Sequence, residues 1–288
     1  MRKTVFLCVG GDKRQGYMCR ELGWSGTVRT IGVPMTDACE ATPGERIGAD
    51  VLILPIMRDS DLSVQTSVGK VSFDELINML SDGALVLGGT LRPEHYSFFS
   101  ARGFTATDYF DREDLVLKNC IPTAEGTLLC AIENTDFDIF GSTVLITGFG
   151  RTARACARLF KAAGALCTVC ARRNEVLTAA ECEGYGTCPM RELPEKLKDH
   201  MIIINTVPAM IFDAKVLGYA RKSSLFIDIS SKPGGIDFTA AERLGLMTVH
   251  ALGLPGKVSP GSAGRYIAET VIDILRERGE TDVRKNIV

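Results

Sequence analysis

Apolar residues along this chain fall in short runs, and these alternate with stretches in which they recur every three to four positions. Val5–Val9, Thr27–Ile31, Val51–Leu54, Ala84–Leu87 and a shorter piece at Gly103–Ala106 read as strands. Between them Gln15–Leu22, Phe73–Leu80 and Pro93–Ala101 read as helices. Nearly continuous apolar strands separated by helices predict a parallel sheet covered on both faces. The alternation resumes with strands at Val144–Thr147, Leu166–Cys170, Met201–Asn205, Leu225–Ile229 and Met247–His250. A helix from about Thr123 to Asn134 links the two sets, and Gly261–Arg278 reads as a long final helix that opens with small residues. The expected class is α/β, with two doubly wound parallel-sheet domains. The first spans 1–120, a linker helix lies in 121–139, the second domain spans 140–260, and a C-terminal helix, 261–288, returns to the first. Open α/β sheets bind ligands outside the carboxyl ends of their strands, so both domains are expected to turn their sites toward one cleft.

One strand end carries more information than the rest. From Val144 the chain runs through Gly148, Gly150 and Ala153 in G-x-G-x-x-A spacing into a helix with Cys156, Leu159, Phe160 and Ala163 on one face. Gly148 permits a sharp turn, Gly150 permits close approach of a pyrophosphate, and small Ala153 lets the helix lie close on its strand. The phosphates would sit on unpaired N–H groups at the helix N-terminus, which makes Gly148, Gly150, Arg151 and Thr152 cofactor-binding candidates. An ordinary tight turn is the plain alternative. The strand before, the amphipathic helix after and a second strand at Leu166–Cys170 favour a Rossmann NAD(P)-binding domain. NAD enzymes usually place Asp or Glu at the end of that second strand, to bind the ribose 2′-OH. Here Ala171, Arg172, Arg173 and Asn174 precede the first carboxylate, Glu175. Two guanidiniums suit a 2′-phosphate unless they are merely solvated, so the expected cofactor is NADP.

Three further strand ends in this half are rich in Gly, Pro, Ser, Thr and Asn. They supply Asn205, Thr206, Val207 and Pro208, then Asp228 and Ser230, then Gly253 and Pro255 as cofactor-binding candidates. Any one could be loop punctuation; together they line one sheet edge. Asp228 reads more readily as a cap for the following amides than as a catalytic acid. Lys232 is the candidate catalytic residue, placed to hold a substrate carboxylate near the nicotinamide. In the first domain Lys13 and Arg14 follow the first strand and Arg92 follows Gly88-Gly89-Thr90, so an anionic substrate is expected there, with simple solvation the plain alternative for any one of them. Thr123 and Glu125, read as the first turn of the linker helix, would favour an anion at its N-terminus. There is no G-x-S-x-G or H-E-x-x-H, and His95, His200 and His250 are scattered. Hydride transfer needs no enzyme nucleophile.

Composition narrows the field. The 288 residues are 45% hydrophobic with a formal charge of −2, enough for two cored domains and no sign of a nucleic-acid partner. No apolar run reads as a membrane span, which takes roughly 18 residues. Ten cysteines are scattered, mostly on apolar faces, and read as reduced thiols. Cys167 and Cys170 have metal-pair spacing but fall in a strand, where i and i+3 face opposite ways, so no metal site is expected.

Several segments together resemble the A subunit of dipicolinate synthase. They are Gly10-Gly11-Asp12-Lys13-Arg14-Gln15, Cys120-Ile-Pro122-Thr123-Ala124-Glu125-Gly126 with Glu133-Asn134-Thr135, and Leu145-Ile-Thr-Gly148-Phe-Gly150-Arg151-Thr152. Asn205-Thr206-Val-Pro208-Ala209, Asp228-Ile-Ser-Ser-Lys232-Pro-Gly-Gly235 and Gly253-Leu-Pro-Gly256 extend the likeness along nearly the whole chain. The resemblance implies NADP-dependent oxidation of dihydrodipicolinate, a ring dicarboxylate, to dipicolinate during spore formation. It implies, as partner, the flavoprotein-like B subunit of dipicolinate synthase, and a cytoplasmic location in the mother cell. Lys13, Arg14, Arg92, Thr123 and Lys232 are then the substrate-binding candidates, and the proton acceptor is open. Two other readings stand beside it. Asn134-Thr135-Asp136 and Asn205-Thr-Val-Pro208 are shared with shikimate-type NADP dehydrogenases, but the first lies too near the glycine strand and the first domain has no catalytic Lys motif. A non-catalytic NADP-binding protein within a two-component enzyme is the other. The C-terminal helix could support a homo-oligomer or simply pack on the first domain.

Overall fold

The structure, a computed structural model, describes residues 3–279 and divides into two compact units. One comprises the chain up to Asn119 together with the segment from Ser259; the other is Cys120–Val258.

The first unit holds β1 (Thr4–Val9), α1 (Lys13–Leu22), β2 (Gly26–Ile31), β3 (Cys39–Glu40) and β4 (Ala49–Ile56). A small antiparallel hairpin follows, β5 (Ser63–Thr66) and β6 (Gly69–Ser72), then α2 (Phe73–Ile77), β7 (Leu80–Gly89), α3 (Pro93–Ser100) and β8 (Thr105–Asp108). The main sheet is parallel, in the order β3-β2-β1-β4-β7-β8. Alternation along β1 sends its side chains to two cores. Phe6 and Cys8 join Met18 and Leu22 of α1, while Leu7 and Val9 join Phe73, Leu76 and Phe99. The hairpin lies over the carboxyl ends of β1 and β2. A Cβ on Gly10 would stand 2.8 Å from Val64, and one on Gly32 2.8 Å from Thr66.

The long helix α4 (Glu113–Glu133) passes from one unit into the other. It starts ten residues before the linker helix expected from the sequence. Pro122, which resembles a first-turn proline, lies inside it. Thr123 and Glu125 are therefore mid-helix and not at an anion-attracting N-terminus. By length and composition α4 also passes as a membrane span, contrary to the expectation from the sequence. Yet Leu115 packs in a core of the first unit, and Ala124 and Ala131 pack in a core of the second, as in a globular core helix.

The second unit continues with β9 (Thr143–Thr147), α5 (Arg151–Ala162), β10 (Leu166–Ala171), α6 (Asn174–Cys182) and β11 (Gly186–Pro189). Then come α7 (Leu193–Leu197), β12 (Ile202–Asn205), α8 (Ala214–Leu217), β13 (Leu225–Asp228), α9 (Phe238–Arg243), β14 (Met247–His250) and α10 (Leu254–Val258). Its parallel sheet runs β11-β10-β9-β12-β13-β14. Leaving the hairpin aside, both sheets have the 3-2-1-4-5-6 order of doubly wound nucleotide-binding folds. Cys167 and Cys170 of β10 lie in different cores, on opposite faces of the sheet. The last helix among the described residues, α11 (Pro260–Glu277), belongs to the first unit and packs on α1, where a Cβ on Gly264 would come within 2.4 Å of the Arg14 carbonyl. Its Ile267, Val271 and Leu275 share the core of Phe6 and Met18.

Candidate functional site

In the second unit β9 leaves the sheet through Gly148, whose φ of +80° is open to glycine and strained for other residues. Its N–H donates to the Cys170 carbonyl at 2.8 Å, closing the turn against β10. Gly150 is the N-cap of α5, and no side chain caps this helix. A Cβ at Gly150 would meet nothing within 4 Å. Ala153, one turn on, is buried against the strand. An uncapped helix start beside open space is the arrangement that receives a pyrophosphate, so these residues fit a dinucleotide. Arg151 is exposed at the first helical position, and Thr152 Oγ1 lies 3.5 Å from Cys120 Sγ. Arg154 is turned away: its guanidinium stacks 4.1 Å from the Phe149 ring and pairs with Glu183.

The ends of β9, β12 and β13 are tied together by side chains. Thr147 Oγ1 donates to Asn205 Oδ1 at 2.7 Å, and Asn205 Nδ2 donates to Asp228 Oδ1 at 2.9 Å. Asp228 also accepts from Ser230 Oγ at 2.6 Å, Ser230 N at 3.0 Å and Gly235 N at 2.8 Å. Thr147, Asn205 and Asp228 are fully buried, and Ser230 nearly so. Their polar atoms serve each other, which shapes the loops that follow and caps their amides. Thr206 Oγ1 donates to the Thr147 carbonyl at 2.6 Å, and the Thr206 and Val207 side chains bound the Gly148 turn. Pro208 and Lys232 are exposed on the loops beyond. Gly253 is exposed with open space about it, whereas Pro255 lies in α10, an element that the sequence pattern predicts as loop.

At the end of β10, Ala171 is buried and Arg172 and Arg173 are exposed. Arg173 pairs with Glu175 at 3.3 Å, both side chains largely in solvent. Arg172 has no hydrogen-bond or ion-pair partner among the described residues.

In the first unit the loop after β1 starts α1 through Asp12, which accepts from Arg14 N at 3.0 Å, while Gln15 Oε1 accepts from Asp12 N at 3.0 Å. Lys13 is exposed, but Arg14 is committed. Its Nε and a terminal nitrogen reach the Asp12 carboxylate at 2.9 and 2.6 Å, with 12% of the side chain exposed. Burial pulls the Asp12 carboxyl up, but Arg14, with a smaller contribution from Arg58, brings it below the ordinary carboxylate range. Arg92 is exposed at the N-cap of α3, and its N–H donates to His95 Nδ1 at 3.1 Å. Arg58, just past β4 on the same carboxyl edge, is not among the site residues that the sequence predicts. Thr123, deep in α4, gives its carbonyl to Thr127 Oγ1 at 2.8 Å.

Residues 5–110 match the family model for the N-terminal domain of the dipicolinate synthase A subunit. The A subunit of this enzyme from Bacillus subtilis (strain 168) is 42% identical over 168 residues, which is 58% of this chain and 57% of that protein. This alignment thus spans little more than half the length of the curated relative. The crystal structure of the B. subtilis protein matches more broadly, at 31% identity and TM-score 0.85 over 98% of this chain and 99% of that one. Its counterpart from Bacillus halodurans gives 30% identity and TM-score 0.86 over 95% and 98%. The chain belongs to the family of dipicolinate synthase A subunits. Beyond the family, a transhydrogenase from Sinorhizobium meliloti shares the fold at 14% identity and TM-score 0.73, over 96% of this chain and 94% of its own. The matched N-terminal family domain lies within the first unit and stops short of α4 and α11. The dinucleotide-type turn lies in the part of the chain beyond that domain.

Proposed function

We propose that the chain binds NADP on its second unit and oxidises dihydrodipicolinate to dipicolinate as the A subunit of a dipicolinate synthase. The observation that carries the cofactor reading is the uncapped start of α5 beside the open space at Gly150, followed at the end of β10 by an unpartnered Arg172. Arg172 is the residue free to grip a 2′-phosphate, since Glu175 already engages Arg173. The substrate reading rests on family membership and on the cationic carboxyl edge of the first unit. NADP⁺, when bound, supplies the hydride acceptor. The chain's own residues have to anchor two carboxylates and orient the ring. Lys13, Arg14, Arg92 and Lys232 are the anchors proposed from the sequence, with Arg14 acting from its fixed pairing with Asp12. Loss of one hydride and one proton leaves an aromatic pyridine, so the reaction runs downhill without a strong base.

The relatives are named as A subunits, which supports a second protein as partner. From that family we infer a partner of flavoprotein-like character, the B subunit, in the cytoplasm of the mother cell. The experiment is NADP⁺ reduction, followed by the absorbance of the reduced nicotinamide, with freshly generated dihydrodipicolinate. The chain is assayed alone and with the B subunit. Turnover by the chain alone is the expected result. NADPH binding without turnover in either mixture would overturn the dehydrogenase assignment and leave a cofactor-binding protein.

A further inference from the structure

The sheet of the first unit reverses its strand order between β1 and β4, and loops leaving two such strands diverge to leave a crevice at the carboxyl edge. Half of that edge is closed, because the β5–β6 hairpin sits over Gly10 and Gly32 at the ends of β1 and β2. The half away from the hairpin is bounded by the loops after β1, β4 and β7. The loop after β4 begins Met57-Arg58-Asp59. Met57 N donates to the Gly89 carbonyl at 2.8 Å and Thr90 Oγ1 donates to the Met57 carbonyl at 2.5 Å, which fixes this loop to the end of β7. Thr90 has φ +53°, a left-handed conformation that a β-branched residue seldom adopts. It is held there by Met57 and by Leu91 N, which donates to buried Asp108 Oδ2 at 2.7 Å. Strained non-glycine backbone of this kind collects at ligand-binding loops.

Two arginines are within electrostatic reach of Asp12 at this edge, and they differ in availability. Arg14 is engaged by Asp12 through Nε and Nη2 and is largely covered. Arg58 is exposed and has no hydrogen-bond or ion-pair partner among the described residues. Asp12, already neutralised by Arg14, does not capture it.

We propose that Arg58 is a further residue of the first unit that binds a carboxylate of the substrate, with Arg14 a fixed cation beside it that Asp12 keeps in place. This rests on the preceding reading that the substrate is a ring dicarboxylate. A guanidinium suits that partner because its planar fork can meet a carboxylate with two parallel hydrogen bonds.

The test measures dipicolinate binding by calorimetry, in the presence of NADPH, for the whole chain and for R58A, R58K and R46A. Arg46 is an exposed arginine preceding β4, at the opposite edge, and serves as control. NADPH affinity and the thermal midpoint are recorded for each protein. Expected is a loss of about ten- to hundredfold in dipicolinate affinity for R58A, as for a charge-assisted hydrogen bond. A smaller loss is expected for R58K, with NADPH affinity unchanged throughout and R46A like the parent. Parent-like dipicolinate affinity in R58A overturns the Arg58 assignment and leaves the substrate reading standing. A parent chain that binds NADPH and no dipicolinate overturns the substrate reading, and the Arg58 assignment with it.

Discussion

At the scale of single residues, Gly148 and Gly150 separate what the turn needs from what the ligand needs. Gly148 carries a positive φ and would press a Cβ to 3.1 Å from Thr206 Oγ1, so Gly148→Ala should lower stability by about 1–3 kcal/mol. Gly150 has ordinary φ and open space, so Gly150→Ala should leave the thermal midpoint alone yet weaken NADPH binding about tenfold or more. Parent-like NADPH affinity in Gly150→Ala, measured by fluorescence titration, would refute the pyrophosphate cradle. Arg172→Ala should weaken NADPH by a few kcal/mol at most and hardly affect NADH; equal losses would sink the 2′-phosphate assignment. Both glycines and Arg172 are readable in the sequence because each is a residue type demanded by backbone or phosphate chemistry at a fixed spacing. Arg58 is not, since the apolar run Val51–Leu54 reads as a complete strand and nothing local shows which later side chain is left without a partner. A pH effect also belongs to this scale. Burial holds both His95 and His200 below the ordinary imidazole pKa, so the unfolded chain takes up protons that the folded chain resists once the pH falls below about 6.5. Stability to urea is expected to decline from there down to the lowered folded-state values and to be insensitive to these groups at higher pH. His200→Gln should make that decline shallower, and an unchanged slope would remove His200 from the account.

At the scale of elements, the carboxyl ends of β9, β12 and β13 act as one piece because Asn205 and Asp228 are cross-linked through hydrogen bonds in a fully buried setting. Asp228→Asn puts an amide donor among groups that already donate, namely Asn205 Nδ2, Ser230 N, Ser230 Oγ and Gly235 N. It is expected to cost about 2–4 kcal/mol in unfolding free energy and to loosen the loops after β12 and β13, which hydrogen exchange would register. Unchanged exchange there would mean that the loops hold themselves. The polar strand ends are visible in the sequence, but their partners are not, because hydrogen-bonding capacity does not reveal whether it faces a ligand or a neighbouring strand. Other elements escape for different reasons. The hairpin strands β5 and β6 are four residues each and mostly polar, and β11 is bounded by Gly186 and Pro189 and carries one fully buried residue, Cys188. Such pieces lack the apolar run by which the other strands are recognised. The start of α4 is misplaced from the sequence because proline is as welcome in a first helical turn as it is costly within a helix, and here the tertiary setting carries it inside.

At the scale of the whole molecule, the first unit is assembled from both ends of the described chain. Residues of α11 fill the same core as β1 and α1, and Gly264 allows α11 to lie against the Arg14 backbone. Gly264→Leu should therefore expose amides of β1 and α1 together with those of α11, while β9–β14 keep their protection; selective loss in α11 alone would argue against one cooperative unit. This arrangement fixes an order of events during synthesis. The part of the first unit that ends at Asn119 leaves the ribosome without the helix that closes one of its cores, and the 139 residues of the second unit must be made before that helix appears. At roughly 5–20 residues per second the gap is on the order of ten seconds. Throughout it Phe6, Met18 and Leu22 lack the Ile267, Val271 and Leu275 side chains that later cover them. The nascent first unit thus keeps this apolar face uncovered throughout the interval, the kind of surface a holding chaperone takes.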